Sequence, residues 1–182
     1  MSIYILNGKI EYSLNYGGVK MLNLKWSREE LTKQKLGAFC EYYAKMVLTS
    51  YGMSIYTSEV DDHGIDFVAE NNKVFFRFQV KSVRKGTTYV FMRKKYFKIN
   101  DDTLYLILFL LTDGEYPDMY IIPTSAWINS EGKLFVDRDY DGIKSEPEYG
   151  INLSQKNIPL LEKYKFKNMI DKICDFKETE DN

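Results

Sequence analysis

The segment over residues 74–83 constrains the fold more than any other, because its side chains alternate strictly in character. One set of alternate positions is apolar and comprises Val74, Phe76, Phe78 and Val80. The other set is Phe75, Arg77, Gln79 and Lys81. Alternation with a period of two predicts a strand whose apolar face packs on a core. The opposite face then needs its own explanation, because it carries three long polar side chains.

A helix is predicted before this strand. Ser27 followed by Glu30 forms a capping box, so the helix is expected to begin near Ser27 and to run to about Tyr51. Gly52 follows at the place where a glycine commonly ends a helix.

Strands dominate the rest of the chain. Strands are predicted at residues 53–58, 65–69, 74–83, 87–92, 104–111, 119–122 and 134–136. Asn71-Asn72 is the expected two-residue hairpin turn before the 74–83 strand. A weak hairpin is expected within residues 1–25, and a C-terminal helix over about 157–174. This order predicts an α/β (α+β) domain with a mixed central β-sheet flanked by helices.

The chain is expected to divide into four parts. Residues 1–26 form an N-terminal extension of strands, and residues 27–128 form the core. Residues 129–177 supply a strand and a helix that complete the same domain, and residues 178–182 form a disordered tail.

Composition excludes several classes of protein. The two cysteines, Cys40 and Cys174, make neither a disulfide scaffold nor a zinc site, and the single His63 excludes a multi-histidine metal centre. The longest apolar run, residues 104–111, is too short to cross a membrane, and the N-terminus has no signal-peptide pattern. A soluble cytoplasmic protein without a membrane partner is therefore expected.

Charge is unevenly distributed along the chain. Residues 71–100 carry nine basic and no acidic side chains, whereas residues 101–182 carry 17 acidic and nine basic ones. The basic segment predicts either an anion-binding surface or a pair of solvated strands that neighbour acidic loops. Charge alone leaves both interpretations open.

The polar face of the 74–83 strand acquires a partner in the preceding strand. With Ile65, Phe67 and Ala69 towards the core, Asp66 lies on the other side. A turn at Asn71-Asn72 places Asp66 opposite Arg77 and diagonal to Gln79, so Asp66, Gln79 and Lys81 are expected to converge. Carboxylate and amide oxygens suit Mg²⁺, and a neighbouring lysine can orient a metal-bound water. The alternative is a charged ladder on a solvated sheet face.

Glu41 lies at the border of the apolar stripe of the predicted helix. Gly37, one turn earlier, is expected to let another backbone come close. The alternative for Glu41 is an exposed pair with Lys45, four residues later. His63 is interpreted mainly as a turn residue beside Asp61 and Asp62.

The order of these residues resembles the PD-(D/E)XK, or restriction-endonuclease-like, nuclease superfamily. The resemblance rests on Gly37 and Glu41 in a helix, then Gly64-Ile65-Asp66, then Gln79-Val80-Lys81 on the next strand. Within this superfamily, the sequence most resembles the branch in which glutamine precedes the lysine, as in Mrr-type restriction enzymes and a set of uncharacterised bacterial domains. The resemblance implies the order helix, three antiparallel strands, helix and strand. The segment after Met92 is short for that second helix.

The resemblance also implies roles for individual residues. Asp66 would be the central ligand of Mg²⁺ or Mn²⁺, with Gln79 and the backbone carbonyl of Val80 as further ligands. Lys81 would position the attacking water, and Glu41 would bind metal through water or hold a second ion. The implied activity is hydrolysis of phosphodiester bonds by a metal-activated water.

Nucleic acid is the implied partner, with DNA favoured over RNA, and a homodimer is compatible with this size. The residues expected to contact phosphates are Arg77, Arg84, Lys85, Arg93, Lys94 and Lys95. Tyr89 and Tyr96 are candidates for base stacking. Two alternatives remain: an inactive nuclease fold that binds nucleic acid or a protein as a subunit, and an interaction or immunity module.

Overall fold

The structure is a computed structural model that describes residues 2–6, 9–13, 24–57, 64–128, 132–140 and 145–176. The first half contains strands β1 (Ser2–Leu6) and β2 (Lys9–Ser13), helix α1 (Lys33–Ser50), and strands β3 (Ser54–Tyr56), β4 (Phe67–Asn71), β5 (Val74–Arg84) and β6 (Tyr89–Arg93). Then follow β7 (Leu104–Leu111), β8 (Asp118–Pro123), a 3₁₀-helix (Thr124–Trp127), β9 (Phe135–Arg138), β10 (Glu148–Asn152), a second 3₁₀-helix (Ile158–Tyr164) and α2 (Phe166–Cys174).

A five-stranded mixed sheet forms the centre, in the order β3-β4-β5-β7-β8. β5 and β7 are parallel, and the other neighbours are antiparallel. Helix α1 lies against this sheet, where the Tyr43 ring meets Phe109 of β7 edge-on at 5.7 Å. The predicted class, an α+β fold with a mixed central sheet flanked by helices, is confirmed. The order of α1, the antiparallel strands β3, β4 and β5, and then β7 matches the order that the resemblance implies, except for its second helix.

The second helix of that order is not formed between β5 and β7. β6 and a turn at residues 94–96 occupy this stretch instead. β6 leaves the central sheet and pairs with β10, which in turn pairs with β9, so three antiparallel strands form a second sheet. The sequence did not predict β10, because the short segment Glu148–Asn152 has no clean alternation.

The core confirms the alternation of β5. Phe76 and Phe78 are fully buried, and Phe78 stacks on Phe67 of β4 with ring centroids 5.1 Å apart. β7 is buried along almost its whole length, as an apolar strand covered on both faces should be. Apolar burial of this kind is the main source of stability for such a sheet.

Helix α1 starts later than expected. Its N-cap is Thr32, whose hydroxyl accepts the N–H of Lys35 at 3.3 Å. Ser27 is occupied elsewhere, because its N–H and hydroxyl both donate to the carboxylate of Asp113. Ser27, which the local sequence pattern predicts as the N-cap, is therefore hydrogen-bonded to a carboxylate distant in sequence and does not cap the helix. The predicted end is confirmed, since Gly52 follows with φ +85°.

The predicted C-terminal helix is two elements. Lys165 separates the second 3₁₀-helix from α2, and its backbone is extended, with φ −52° and ψ 144°. Lys165 forms a β-bridge to Tyr120, so contact with the central sheet interrupts the helix.

Among the described residues, no helix is long and apolar enough to cross a membrane. The expected tail at 178–182 lies outside the described residues.

The hairpin between β4 and β5 turns one residue later than expected. Its central residues are Asn72 and Lys73, with φ 51° and 69°, and Asn71 pairs with Val74. Two consecutive positive φ angles match the turn type that two-residue hairpins prefer. The Asn71 side chain is used otherwise, because its Nδ2 donates to the Cys174 carbonyl at the end of α2, 2.9 Å away. Asn71 therefore stays in the strand.

Candidate active site

Asp66 binds β5 through both its main chain and its side chain. Its N–H donates to the Phe78 carbonyl at 2.9 Å, and its Oδ2 accepts the N–H of Val80 at 2.5 Å. These two partners are the residues on either side of Gln79. The expected pairing of Asp66 with Arg77 is wrong, because Arg77 pairs with Val68 in the shifted register. The expected proximity of Asp66 to the chain at Gln79 is nevertheless present.

Gln79 is a buried polar residue, with 7% of its surface exposed. Its Oε1 has no hydrogen-bond partner. Buried amide oxygens are nearly always bonded, and leaving one without a partner costs about 1–3 kcal/mol. A buried amide oxygen without a partner is therefore a feature that a ligand would explain.

Gly64 and Tyr96 close this site from the loop side. Gly64 has φ +68°, and a Cβ built on it would lie 3.1 Å from Gln79 Nε2 and 3.1 Å from Tyr96 Cβ. Only a residue without a side chain fits here without displacing a neighbour. Tyr96 is thus part of the wall of the site, in the turn after β6. Sequence reasoning gave neither residue this role, although Gly64 belongs to the Gly64-Ile65-Asp66 motif.

Lys81 and Glu41 reach the sheet from different elements. Lys81 follows Gln79 by two residues on β5, so it shares that face of the strand, and it is half-buried. Glu41 lies on α1 and is also half-buried. Within the described parts of the chain, neither side chain forms an ion pair or a hydrogen bond. The structure does not bring the Glu41 carboxylate within ion-pair distance of Lys81.

The alternative explanation of Glu41 as a partner of Lys45 is not realised. The Lys45 ammonium lies over aromatic rings instead, 5.6 Å from the centre of Phe67 and 5.7 Å from that of Tyr42. The expected close approach at Gly37 is wrong, because a Cβ there would meet no atom within 4 Å. Gly37 is a small residue in open space.

Cys40, next to Glu41, can be excluded as a nucleophile. The thiol is completely buried, and this burial raises the pKa of Cys40 to about 12. A thiol with so high a pKa is not ionised at neutral pH, and the thiolate is the reactive form. Cys40 therefore belongs to the packing between α1 and β5, where Ser82 is its hydrogen-bond partner.

The basic residues expected to contact phosphates include three consecutive ones, Arg93, Lys94 and Lys95 (the basic turn), that pair with carboxylates after residue 130. Arg93 Nε lies 2.9 Å from Glu146 Oε2, and Lys95 Nζ lies 2.7 Å from Glu146 Oε1. Lys94 pairs with Asp137 and, at 2.9 Å, with Asp139. The hydrogen bond between Lys95 and Glu146 raises the pKa of Lys95 and lowers the pKa of Glu146. Here the structure matches the interpretation of basic strands beside acidic loops.

The other three basic residues differ in their surroundings. Arg84 is half-buried and is hydrogen-bonded to the segment before α1. Its Nε donates to the Trp26 carbonyl at 2.5 Å and its Nη2 to the Leu31 carbonyl at 2.6 Å. Arg77 is exposed but also ion-paired, since its Nη2 donates to the Asp101 carboxylate and, at 3.2 Å, to the Thr103 hydroxyl. Lys85 lies exposed in the turn after β5.

Tyr89 has a structural environment that its sequence position did not reveal. Its hydroxyl donates to Glu148 at 2.8 Å, and its ring lies under the Arg138 guanidinium at 4.6 Å. A Cβ on Gly150 would clash with the Tyr89 phenol, so the absence of a side chain at Gly150 makes room for this ring. Tyr89 is therefore committed to the second sheet.

His63, Asp61 and Asp62 lie outside the described residues. Within the part of the chain that is described, no group of three or more His, Cys, Asp or Glu side chains is arranged to hold a metal ion. The oxygens gathered at β5 come instead from one carboxylate, one amide and the main chain.

Comparison with protein-family models gives no match, and neither does comparison with curated protein sequences. Solved structures do resemble this chain. One is a bacterial homing endonuclease, with 16% identity, a TM-score of 0.49, and coverage of 79% of this chain and 91% of that one. Another is a Holliday junction resolvase from the archaeal hyperthermophile Archaeoglobus fulgidus, with 11% identity, a TM-score of 0.43, and coverage of 78% and 98%. Neither likeness is close enough to carry an argument about this chain's chemistry.

Proposed function

We propose that this chain is a metal-dependent nuclease-like protein that hydrolyses phosphodiester bonds of nucleic acid, with DNA favoured over RNA. The observation that carries the proposal is the arrangement at Gln79. Asp66 binds the main chain on both sides of this residue, and the amide oxygen is buried without a partner. A structural role alone would leave that oxygen uncompensated.

The donor atoms fit a small, hard cation. The Asp66 carboxylate, the Gln79 amide oxygen and the Val80 carbonyl are oxygen ligands of the kind that Mg²⁺ and Mn²⁺ prefer. When bound, such an ion lowers the pKa of a coordinated water and neutralises charge on the phosphoryl group. Because only one of these donors is charged, binding is expected to be weak.

Lys81 and Glu41 have supporting roles in this proposal. Lys81 lies on the face of β5 that carries Gln79, and its ammonium is free of carboxylate partners within the described residues. It would hold a water near the phosphate and stabilise the negative charge that develops there. Glu41 would bind metal through water or hold a second ion.

The basic residues divide into two groups under this proposal. Lys85 is exposed without an ion-pair partner among the described residues and would contact phosphates directly. Arg77, Arg93, Lys94 and Lys95 are ion-paired, so phosphates would share them with, or displace, Asp101, Asp137, Asp139 and Glu146. Phosphates and these carboxylates compete for the same ammonium and guanidinium groups, so nucleic-acid affinity is expected to be modest.

A second candidate function is a nuclease fold without activity that serves as a nucleic-acid-binding or protein-interaction subunit. The observation that favours it is that, among the described residues, no group of three or more His, Cys, Asp or Glu side chains is arranged to hold a metal ion. Glutamine supplies an oxygen without a charge, and the site then attracts a divalent cation less strongly. A homodimer remains compatible with either function.

Cleavage of labelled single- and double-stranded DNA and RNA in Mg²⁺ or Mn²⁺ tests the proposal. Asp66→Ala and Lys81→Ala are expected to abolish cleavage, whereas the exposed Lys98→Ala serves as a control for loss of one positive charge and should cut like the wild type. Salt-sensitive binding without cleavage, retained in both site variants, would favour the second candidate. Absence of both cleavage and binding would contradict the proposed function and the nucleic-acid-binding form of the second candidate.

A further inference from the structure

Two exposed aromatic rings lie on the sheet face that carries Gln79. Tyr56 on β3 has 49% of its surface exposed and Phe75 on β5 has 53%. Their ring centroids are 5.9 Å apart with an interplanar angle of 54°. The Tyr56 hydroxyl donates to Glu70 Oε2 at 2.7 Å, which restrains the ring. The rings cover each other only in part, so each keeps about half its surface in solvent.

Strand register places these rings at a defined distance from the candidate site. Phe75, Arg77 and Gln79 occupy alternate positions of β5 and therefore share one face. Tyr56 pairs with Val68, and Val68 pairs with Arg77, so Tyr56 belongs to the same face. At about 3.3 Å per residue, Phe75 is about 13 Å from Gln79 along the strand, with Arg77 midway.

Arg77 supplies a cation between the rings and the site. Its bonds to Asp101 and Thr103 use Nη2 alone, and 44% of its side chain is exposed. Within the described residues, Nε and Nη1 have no acceptor. A guanidinium with two such donors is suited to a phosphate oxygen.

We propose that Tyr56 and Phe75 form a subsite that stacks the bases of an unpaired nucleic-acid strand, with Arg77 on a phosphate between this subsite and Gln79. Exposed aromatic rings combined with a cation bind single strands, because unpaired bases offer their faces for stacking. A duplex offers no such faces, since its bases stack on one another. At about 3.4 Å per stacked nucleotide, 13 Å spans up to four nucleotides. The placement of the cleaved bond at Gln79 rests on the proposed function, whereas binding of the single strand to Tyr56 and Phe75 does not.

Fluorescence anisotropy tests the subsite with a labelled single-stranded oligonucleotide and a duplex of the same sequence, in EDTA so that no cleavage occurs. Phe75→Ala is expected to weaken single-strand binding about 5- to 150-fold, the range for loss of one stacked base. Phe91→Ala is the matched control, because Phe91 is also a strand phenylalanine, with 49% of its surface exposed, on the other sheet. It should bind within twofold of the wild type, and Phe75→Trp should retain binding.

An abasic nucleotide locates the contact. When the abasic nucleotide is moved along the oligonucleotide, it should weaken binding by the wild type at one or two positions. At those positions it should not weaken binding by Phe75→Ala any further. The subsite is contradicted if Phe75→Ala binds like the wild type, if Phe91→Ala weakens binding equally, or if the abasic effect is unchanged in Phe75→Ala.

Cleavage separates this inference from the proposed function. If Phe75→Ala loses single-strand binding while the wild type cuts nothing in Mg²⁺ or Mn²⁺, the subsite stands and the nuclease proposal fails. If the wild type cuts and Phe75→Ala binds and cuts equally well, the nuclease proposal stands and the subsite fails. Thermal melting confirms folding of each variant, as expected for substitutions at half-exposed positions.

Discussion

Asp66 is hydrogen-bonded to the main chain on either side of Gln79. Its N–H binds the Phe78 carbonyl, and its carboxylate takes the N–H of Val80. These bonds hold the Asp66 carboxylate against the main chain at Gln79, whose buried amide oxygen has no partner. The pair is the structural basis of the proposed metal site, and its energetics can be tested without any substrate.

Gln79→Met is expected to stabilise the metal-free protein. The substitution keeps the length of the side chain and removes an unpartnered buried oxygen, which should raise the free energy of unfolding by about 1–3 kcal/mol. Urea unfolding in EDTA measures this, with the exposed Gln155→Met as a control expected to stay within about 0.5 kcal/mol of the wild type. A less stable Gln79→Met would mean that the amide has a structural role.

Gly64→Ala is expected to distort the site, and Gly114→Ala is its matched control. Both glycines have positive φ, +68° and +82°, so both variants incur the backbone cost of about 1–2 kcal/mol. Only at Gly64 does the new Cβ press on Gln79 and Tyr96, whereas Gly114 faces open space. The excess loss of unfolding free energy at Gly64, measured in urea, reports this contact. Equal losses would contradict a tight fit at Gly64.

Neutralising the acids around the basic turn is expected to increase nucleic-acid affinity. The triple variant Asp137→Asn, Asp139→Asn, Glu146→Gln frees Arg93, Lys94 and Lys95. Three more phosphate contacts should make the slope of log K against log salt concentration more negative by about 2 to 3. Anisotropy over a salt series measures the slope. A second triple variant, in which the exposed Glu29, Glu30 and Asp171 are neutralised instead, is the control for net charge. An unchanged slope in both triple variants would exclude the basic turn from binding.

The ion pair of Lys95 with Glu146 predicts a pH window. Because the pKa of Glu146 is lowered from 4.5, its contribution to stability is present above pH 4.5 and is lost as pH falls through the lowered value. The pKa of Lys95 is raised from 10.5, so its contribution is present below pH 10.5 and is lost as pH rises through the raised value. A double-mutant cycle with Lys95→Met and Glu146→Gln, followed by Tm at low salt, should show coupling only inside this window. Coupling that persists at pH 2 would contradict it.

The sequence predicted those parts of the fold that local pattern determines. The alternation of β5 and the apolar run of β7 each fixed a strand, and Gly52 marked the end of α1. Distant contacts decided the differences. Asp113 takes the expected cap Ser27, and the end of α2 holds Asn71 in its strand and so shifts the hairpin turn.

The proximity of Asp66 to Gln79 was predictable from alternation and motif order, but its geometry was not. The shifted register replaced the expected diagonal contact with hydrogen bonds from Asp66 to the main chain on either side of Gln79. Pairing of the basic turn with acids about 50 residues away could not be read from spacing. The acidic excess after residue 100 was its only signal in the sequence.

Direct measurement of Mn²⁺ binding tests the central claim. Titration of the protein with Mn²⁺, followed by electron paramagnetic resonance of the free ion, should show one weak site in the wild type. Asp66→Ala and Gln79→Met should lose that site, and the exposed Asp171→Ala should keep it. Equal Mn²⁺ binding by the wild type and both site variants, or no binding by any of them, would contradict a metal site at Asp66 and Gln79.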